Sequence, residues 1–290
     1  MNTEQAYNDY LTAWLNGIEY EINFWDNFIQ TKGKDFNITE EKWKNYIAYE
    51  KPFTLNDDLF LEETNFLDVG SGPFSSCGTK TEKTKLTFTA VDPLAFIYEK
   101  LREKYSIYIY IQPKTAMVEN LSSVFGENSF DIVHMSNSLD HSFDPILGIW
   151  QMLWVCKVGG KIILQHCENE AEFENYQGFH QWNLENKDGN FYIWRKDIRI
   201  NIADVFGDYI QIEKLQNHRI VRNYNKVVIR KNKNVPLHFN DNYPILLEKF
   251  LEQICSLNFD LMQTKKMISS LDKPAIETKK RKKWYHFFRG

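Results

Sequence analysis

Apolar residues recur at helical spacing through residues 4–31: Tyr7, Leu11, Trp14, Leu15, Ile18, Ile22, Trp25 and Phe28. A period of 3.6 puts these side chains on one face, which predicts an amphipathic helix with a wide aromatic stripe. Lys32-Gly33-Lys34 supplies its stop. Residues 39–50 predict a shorter helix with Thr39 as N-cap, and Leu55-Asn-Asp-Asp58 a loop. The pattern then shifts to short apolar runs. Residues 65–69, 86–91, 107–111, 129–134 and 161–165 predict five strands. Helices are predicted between them at 93–105 and at 144–155, the latter with Pro145 in its first turn, and Val158-Gly159-Gly160 turns the chain into the fifth strand. Strands alternating with helices imply a parallel, doubly wound α/β sheet.

Beyond His166 the chain becomes polar, aromatic and irregular up to Asn190. Residues 191–194, 209–213 and 226–230 are further strands, the last two close enough to pair antiparallel. Residues 243–271 carry a helical stripe of Leu246, Leu247, Phe250, Leu251, Ile254, Leu257 and Leu261. The expected organisation is therefore a helical cap (1–60), an α/β domain (61–232) and a C-terminal helix with a tail (233–290).

Composition narrows the class. The 290 residues are 43% hydrophobic and 26% charged, a globular balance that excludes a disordered chain, a collagen or a coiled coil. No run of about 18 apolar residues could span a membrane, and Met1-Asn-Thr-Glu-Gln5 lacks a signal-peptide start, so a cytoplasmic protein is expected. Cys77, Cys156, Cys167 and Cys255 are scattered, without zinc or disulfide spacing. The net charge is −4, yet residues 279–290 hold six basic residues and no acid; removing those charges leaves −10 for residues 1–278. An acidic body argues against nucleic acid. The tail, Lys279-Lys-Arg-Lys-Lys-Trp-Tyr-His-Phe-Phe-Arg-Gly290, combines charge with rings that suit an anionic membrane surface; a solvated tail is the plain alternative.

Candidate chemistry starts at Phe66-Leu67-Asp68-Val69-Gly70-Ser71-Gly72-Pro73. Glycines just past a parallel strand let the backbone bend sharply and approach a ligand closely. Asp92 stands twenty residues after Gly72, at the end of the next strand, where an acid can accept from both hydroxyls of a ribose. A lone strand and Gly-x-Gly can also be an ordinary tight turn. A dinucleotide fold would want a third glycine where Ser75 stands.

These residues resemble the class I S-adenosylmethionine-dependent methyltransferases over roughly residues 60–232. Leu67-Asp-Val-Gly-Ser-Gly72 resembles the first motif of that family, and Asp92 its ribose-binding acid. Val118-Glu-Asn-Leu121, Asn128-Ser-Phe-Asp-Ile-Val133, Leu139-Asp-His-Ser-Phe-Asp-Pro145 and Lys157-Val-Gly-Gly160 are similar to later blocks, in the family's order. The resemblance implies a Rossmann-like seven-stranded sheet whose last strand is antiparallel. It also implies S-adenosylmethionine as cofactor, with S-adenosylhomocysteine as product. Cofactor contacts are then expected at Asp68, Gly70, Ser71, Gly72, Asp92, Pro93, Met117, Val118, Glu119 and Ser136. Departures are Phe74 for a third glycine, Val158 for a proline, and Met117 where many relatives carry an acid.

In this reading methyl transfer needs positioning and, for a hydroxyl acceptor, a base. His141, Asp140 and His180 are the expected catalytic residues; His166, Gln181, Trp182 and Asn183 are expected to bind the acceptor. Gly178-Phe-His-Gln-Trp-Asn183 mixes rings with hydrogen-bonding groups, as a sugar pocket would, and resembles a segment of relatives from bacterial surface-polysaccharide clusters. The alternative is a loop whose polar groups satisfy one another. The histidines lack helix-spaced carboxylate partners, so no metal is expected. The leading expectation is O-methylation of an activated sugar or surface-polysaccharide precursor. Methylation of N or C on another small metabolite, or a non-catalytic cofactor-binding module, are the alternatives.

Overall fold

A computed structural model describes residues 3–51, 53, 55, 60–79, 81, 84–196, 198–219 and 223–237. The helix expected at 243–271 and the tail at 279–290 lie outside these residues. The sheet begins with β1 (Glu63–Val69), β2 (Lys85–Asp92), β3 (Lys114–Thr115), β4 (Phe130–Ser136) and β5 (Cys156–Cys167). After it come β6 (Asn183–Lys187), β7 (Asn190–Arg195) and β8 (Ile198–Asn201), then β9 (Ile210–Arg219) and β10 (Asn223–Lys231). Seven of these form one sheet in the order β3-β2-β1-β4-β5-β10-β9; β6, β7 and β8 form an antiparallel sheet of their own. β10 runs antiparallel to both neighbours, while β1 pairs parallel with β2 and β4. The architecture is thus Rossmann-like and mostly parallel, with the chain's last sheet strand reversed. The winding changes direction between β1 and β4, and the crevice beyond their carboxyl ends is where such sheets bind ligands.

Helices α1 (Thr3–Thr31), α2 (Glu40–Tyr46), α3 (Ala95–Lys104), α4 (Pro145–Val155), α5 (Glu170–Phe173) and α6 (Ile202–Phe206) cover the sheet and its rim. Thr39 caps α2 by accepting from Lys42 N, and Asp144 caps α4 by accepting from Ile146 N and Leu147 N. The period of two along the strands decides the faces. Leu67, Val69, Val133, Met135, Ile162 and Leu164 bury against Ile149, Met152 and Leu153 of α4. Phe66, Ile132 and Ile163 turn the other way, onto Leu55, Cys77 and the rings of Phe53, Phe60 and Phe88. Between β1 and β2 no helix forms among the described residues. Gly70, Gly72, Pro73 and the serines at 71, 75 and 76 are weak helix formers, so residues 70–79 run as turns instead.

Three expectations are corrected. Residues 107–111 are not a strand; the third strand is the short β3, paired with Val91 and Asp92. The alternation is real, but Ile107 and Ile109 face the cluster formed by α1, α2 and α3, while Tyr108 and Tyr110 are exposed. Residues 158–160 do not precede the fifth strand but lie within it, as a bulge where the register with β4 shifts between Phe130 and Ile132. Glycine is needed there because a Cβ on Gly160 would lie 2.8 Å from Asp131 O and 2.9 Å from Lys157 O. The stretch read as irregular, 167–190, contains α5 and β6. Its Asp188-Gly189 turn, with both φ positive, is a hairpin signal that the sequence reading passed over.

From Trp14 onward the predicted stripe of α1 is buried or half-buried. Trp14, Ile18, Ile22 and Phe28 are buried with Leu94, with Ile97, Tyr98 and Leu101 of α3, and with Phe74, Met117, Phe143 and Phe179 from the rim of the sheet. Tyr20 presses on Gly178 and Trp25 on Gly72, so α1 roofs the carboxyl edge of the sheet. Among the described residues no helix is long and apolar enough to cross a membrane.

Candidate functional site

The turn after β1 has Gly70 at φ 64° and Gly72 at φ 63°, a left-handed region where a Cβ is strained. A side chain at Gly70 would also collide with Ser138, Cβ to Cβ 2.7 Å. The turn is stapled to the tip of β2. Gly72 N donates to Asp92 Oδ2 at 2.9 Å, Leu94 N to Asp92 Oδ1 at 2.8 Å, and Ser71 N to Val91 O at 3.1 Å. Asp92 is buried, and burial pushes its carboxyl up to about 7 against the pull of the two backbone N–H groups. Pro93 follows at the rim, between Asp92 and the start of α3.

The other residues expected around a cofactor divide into rim and support. Met117 is buried beside Phe143 and Leu147, and its N–H donates to Asn120 Oδ1 at 2.8 Å. Val118 packs against Gly148 of α4. Ser136 Oγ lies 3.3 Å from Tyr224 Oη. Asp68 is not at the rim: its Oδ1 lies 2.8 Å from His134 Nδ1, which in turn is 3.1 Å from Cys77 Sγ, all three buried. Glu119 is also a support. It is buried, and its Oε1 accepts from Phe143 N at 2.9 Å and Asp144 N at 3.2 Å, holding the loop that enters α4.

Burial pushes the Glu119 carboxyl from 4.5 up to about 8. The unfolded chain releases this proton near 4.5 and the folded chain keeps it to about 8. Stability present below the lower value is therefore lost as pH rises through this window. Glu119→Gln keeps the acceptor oxygen and removes the proton. Relative to wild type it should gain up to about 1.4 kcal/mol of stability per pH unit across that window. Urea unfolding at pH 5 and pH 8 checks this; an advantage that does not grow with pH would overturn it.

Asp140, His141 and His180 come together at the far end of the crevice. The 3-10 turn Leu139–His141 follows β4, and Ser138 at its start is the residue that stands against Gly70. His180 Nδ1 lies 2.8 Å from Asp140 Oδ2 and 3.1 Å from His141 Nε2; His141 Nε2 is 3.5 Å from the same carboxylate oxygen. Gln181 N and Trp182 N both donate to Asp140 O, at 3.0 and 3.3 Å, so the backbone ties the two segments together. Burial alone would raise the Asp140 carboxyl; the charge of His141 and the hydrogen bond from His180 win and hold it well below its usual range. Burial lowers His180 too, but its bond to Asp140 outweighs that and raises it to about 9. Burial keeps His141 low, and takes His166 down to about 3. His166 is buried with no hydrogen-bond partner on either ring nitrogen among the described residues.

The residues expected to contact the acceptor at 181–183 have partners within the fold. Gln181 Nε2 donates to Tyr176 O at 3.2 Å and Gly178 O at 3.0 Å. Asn183 is fully buried, accepting from Glu172 N at 2.9 Å and donating to Tyr176 Oη at 3.1 Å. Trp182 is buried in the main core. These three brace the loop that carries His180. Sequence reasoning missed Glu21. Its Oε1 accepts from Trp25 Nε1 at 2.8 Å and Tyr98 Oη at 3.5 Å, and its charge is felt at Asp92, His141 and His180. The available signal was an acid beside Ile18, Ile22 and Trp25 on an apolar stripe.

No family model matches the chain, and no curated protein does. Some solved structures are similar to part of the chain. A Listeria monocytogenes protein assigned as an S-adenosylmethionine-dependent methyltransferase is 9% identical, with a TM-score of 0.41, over 61% of this chain and 95% of that one. A Methanosarcina mazei S-adenosylmethionine-dependent methyltransferase is 15% identical, TM-score 0.39, over 61% and 98%. The Burkholderia thailandensis 1,6-didemethyltoxoflavin-N1-methyltransferase, solved with 1,6-didemethyltoxoflavin and S-adenosylhomocysteine, is 15% identical, TM-score 0.36, over 59% and 72%.

Proposed function

We propose that the chain is an S-adenosylmethionine-dependent methyltransferase that methylates a hydroxyl of a small-molecule or glycan-linked acceptor, an activated sugar being the leading case. The observation that carries the reading is the glycine turn at the carboxyl end of β1, stapled through Gly72 N to Asp92 at the tip of the adjacent parallel strand. That pairing suits a nucleoside. Each Asp92 oxygen already accepts one backbone N–H and retains a lone pair for a ribose hydroxyl. Gly70 and Gly72 let the backbone approach the ligand, and Met117 offers an apolar surface to a base. When bound, S-adenosylmethionine supplies the activated methyl group.

The acceptor end is the Asp140–His141–His180 cluster. A hydroxyl must lose its proton as it is methylated, and a buried carboxylate with two imidazoles is the group near the crevice suited to promote that loss. The α1 roof, with Trp25 against the glycine turn, covers the methyl-donor end of the crevice.

Calorimetry with S-adenosylmethionine and S-adenosylhomocysteine tests the reading. One equivalent of either should bind, with a dissociation constant on the order of micromolar. No heat with either, from folded protein, would overturn it.

A further inference from the structure

We infer that Asp140 Oδ2, His141 Nε2 and His180 Nδ1 form the binding site of a divalent first-row transition-metal ion at the acceptor end of the crevice. The site rests on geometry alone; only the role given to the ion rests on the methyltransferase reading.

The three atoms form a triangle with sides of 2.8, 3.1 and 3.5 Å. Ligands about 2.1 Å from one ion stand roughly 3.0 to 3.4 Å apart in octahedral or tetrahedral arrangement, so the triangle fits one face of such a shell. The donor chemistry agrees: with both imidazoles neutral at these nitrogens, one carboxylate oxygen and two nitrogen lone pairs converge, and a single cation accepts all three together.

The triangle is also held from outside. Asp140 and His180 are 3% and 4% exposed at their side chains, and the backbone bonds from Gln181 and Trp182 to Asp140 O lock their two segments together. His141, at 19%, marks the open side. Three protein ligands with an open side are the pattern of a catalytic metal, which keeps a position for substrate. Two imidazoles and one carboxylate select zinc, iron, cobalt or manganese over magnesium and calcium, which prefer oxygen.

Sequence spacing pointed away from a metal because the donors come from two separate segments, a turn after β4 and the loop before β6. A second mixed set, Asp68, Cys77 and His134, differs in being sealed: all three are buried, and His134 Nε2 is engaged by Gln165 Oε1 at 3.0 Å. At the Asp140 cluster the ion would act as a Lewis acid. The acceptor hydroxyl loses its proton to bulk water through the open side at His141, away from the roofed glycine turn, and its oxygen bonds to the methyl carbon. The carbon–sulfur bond breaks with its electron pair going to sulfur, and the ion keeps its oxidation state.

The test uses the full chain, stripped with chelator and titrated with zinc or cobalt. One equivalent should bind, and cobalt should give a visible spectrum of nitrogen and oxygen ligands. His180→Ala and Asp140→Asn should each weaken metal binding by at least about tenfold while S-adenosylhomocysteine affinity stays within about twofold. Circular dichroism checks folding, and His141→Gln, at the open side, serves if either variant fails to fold. Three results would overturn the inference: no binding by wild type, equal binding by all variants, or an intense thiolate charge-transfer band that Cys77→Ser abolishes. Cofactor binding without metal sinks this inference alone. Metal binding without cofactor sinks the methyltransferase reading instead.

Discussion

Replacing His180 by alanine is expected to lower kcat by roughly 10²–10⁴-fold on the acceptor that the wild type methylates. His180 is the pivot of the acceptor end, with Nδ1 within hydrogen-bond distance of both Asp140 and His141. Without it, the buried Asp140 carboxylate keeps His141 at 3.5 Å and loses its shorter partner. The loss should fall on kcat rather than on cofactor affinity, because the glycine turn and Asp92 belong to other elements. Affinity for S-adenosylhomocysteine should stay within about twofold. The measurement is a kcat and KM pair with calorimetry on the same preparation. Full activity in a folded variant would remove His180 from the chemistry and leave positioning alone.

Asp92→Ala should weaken S-adenosylhomocysteine binding by about 2–3 kcal/mol, or roughly 30- to 150-fold. The substitution removes a charged acceptor for two hydroxyls and also frees Gly72 N and Leu94 N from the bonds that shape the turn. Burial raises this carboxyl to about 7. Hydroxyl donors favour its ionised form, so wild-type affinity should rise as pH increases through that value. Asp92→Ala should lack this rise, approaching the wild-type affinity at low pH, where the carboxyl is protonated. An unchanged dissociation constant in folded Asp92→Ala at pH 8 would show that the acid does not face the ligand.

Periodicity was enough for the elements whose apolar pattern is local. The helices at α1, α2, α3 and α4, the cap at Thr39, and the strands β1, β2, β4, β9 and β10 follow from residues that read the same in any surroundings. The glycine turn and its distance from Asp92 were legible too, because left-handed φ and a strand-tip acid are properties of those residues themselves. Residues 107–111 misled because alternation states that one side is buried, and not whether a sheet or a helix buries it.

Tertiary structure alone decided which polar groups are available for chemistry. Glu119, Gln181 and Asn183 look like ligand contacts in the sequence, and the fold gives each of them backbone partners. Glu21 looks like an ordinary helix-surface acid, and the packing of α1 over the crevice turns it inward. Asp140 and His141 were neighbours from the start, but His180 lies 39 positions beyond His141 and reaches them only when Asp140 O accepts from the loop before β6. A hydrogen-bonding side chain carries the same chemistry wherever it sits. Whether that chemistry is spent on the fold or left for a ligand depends on which distant atoms folding brings within 3 Å or so.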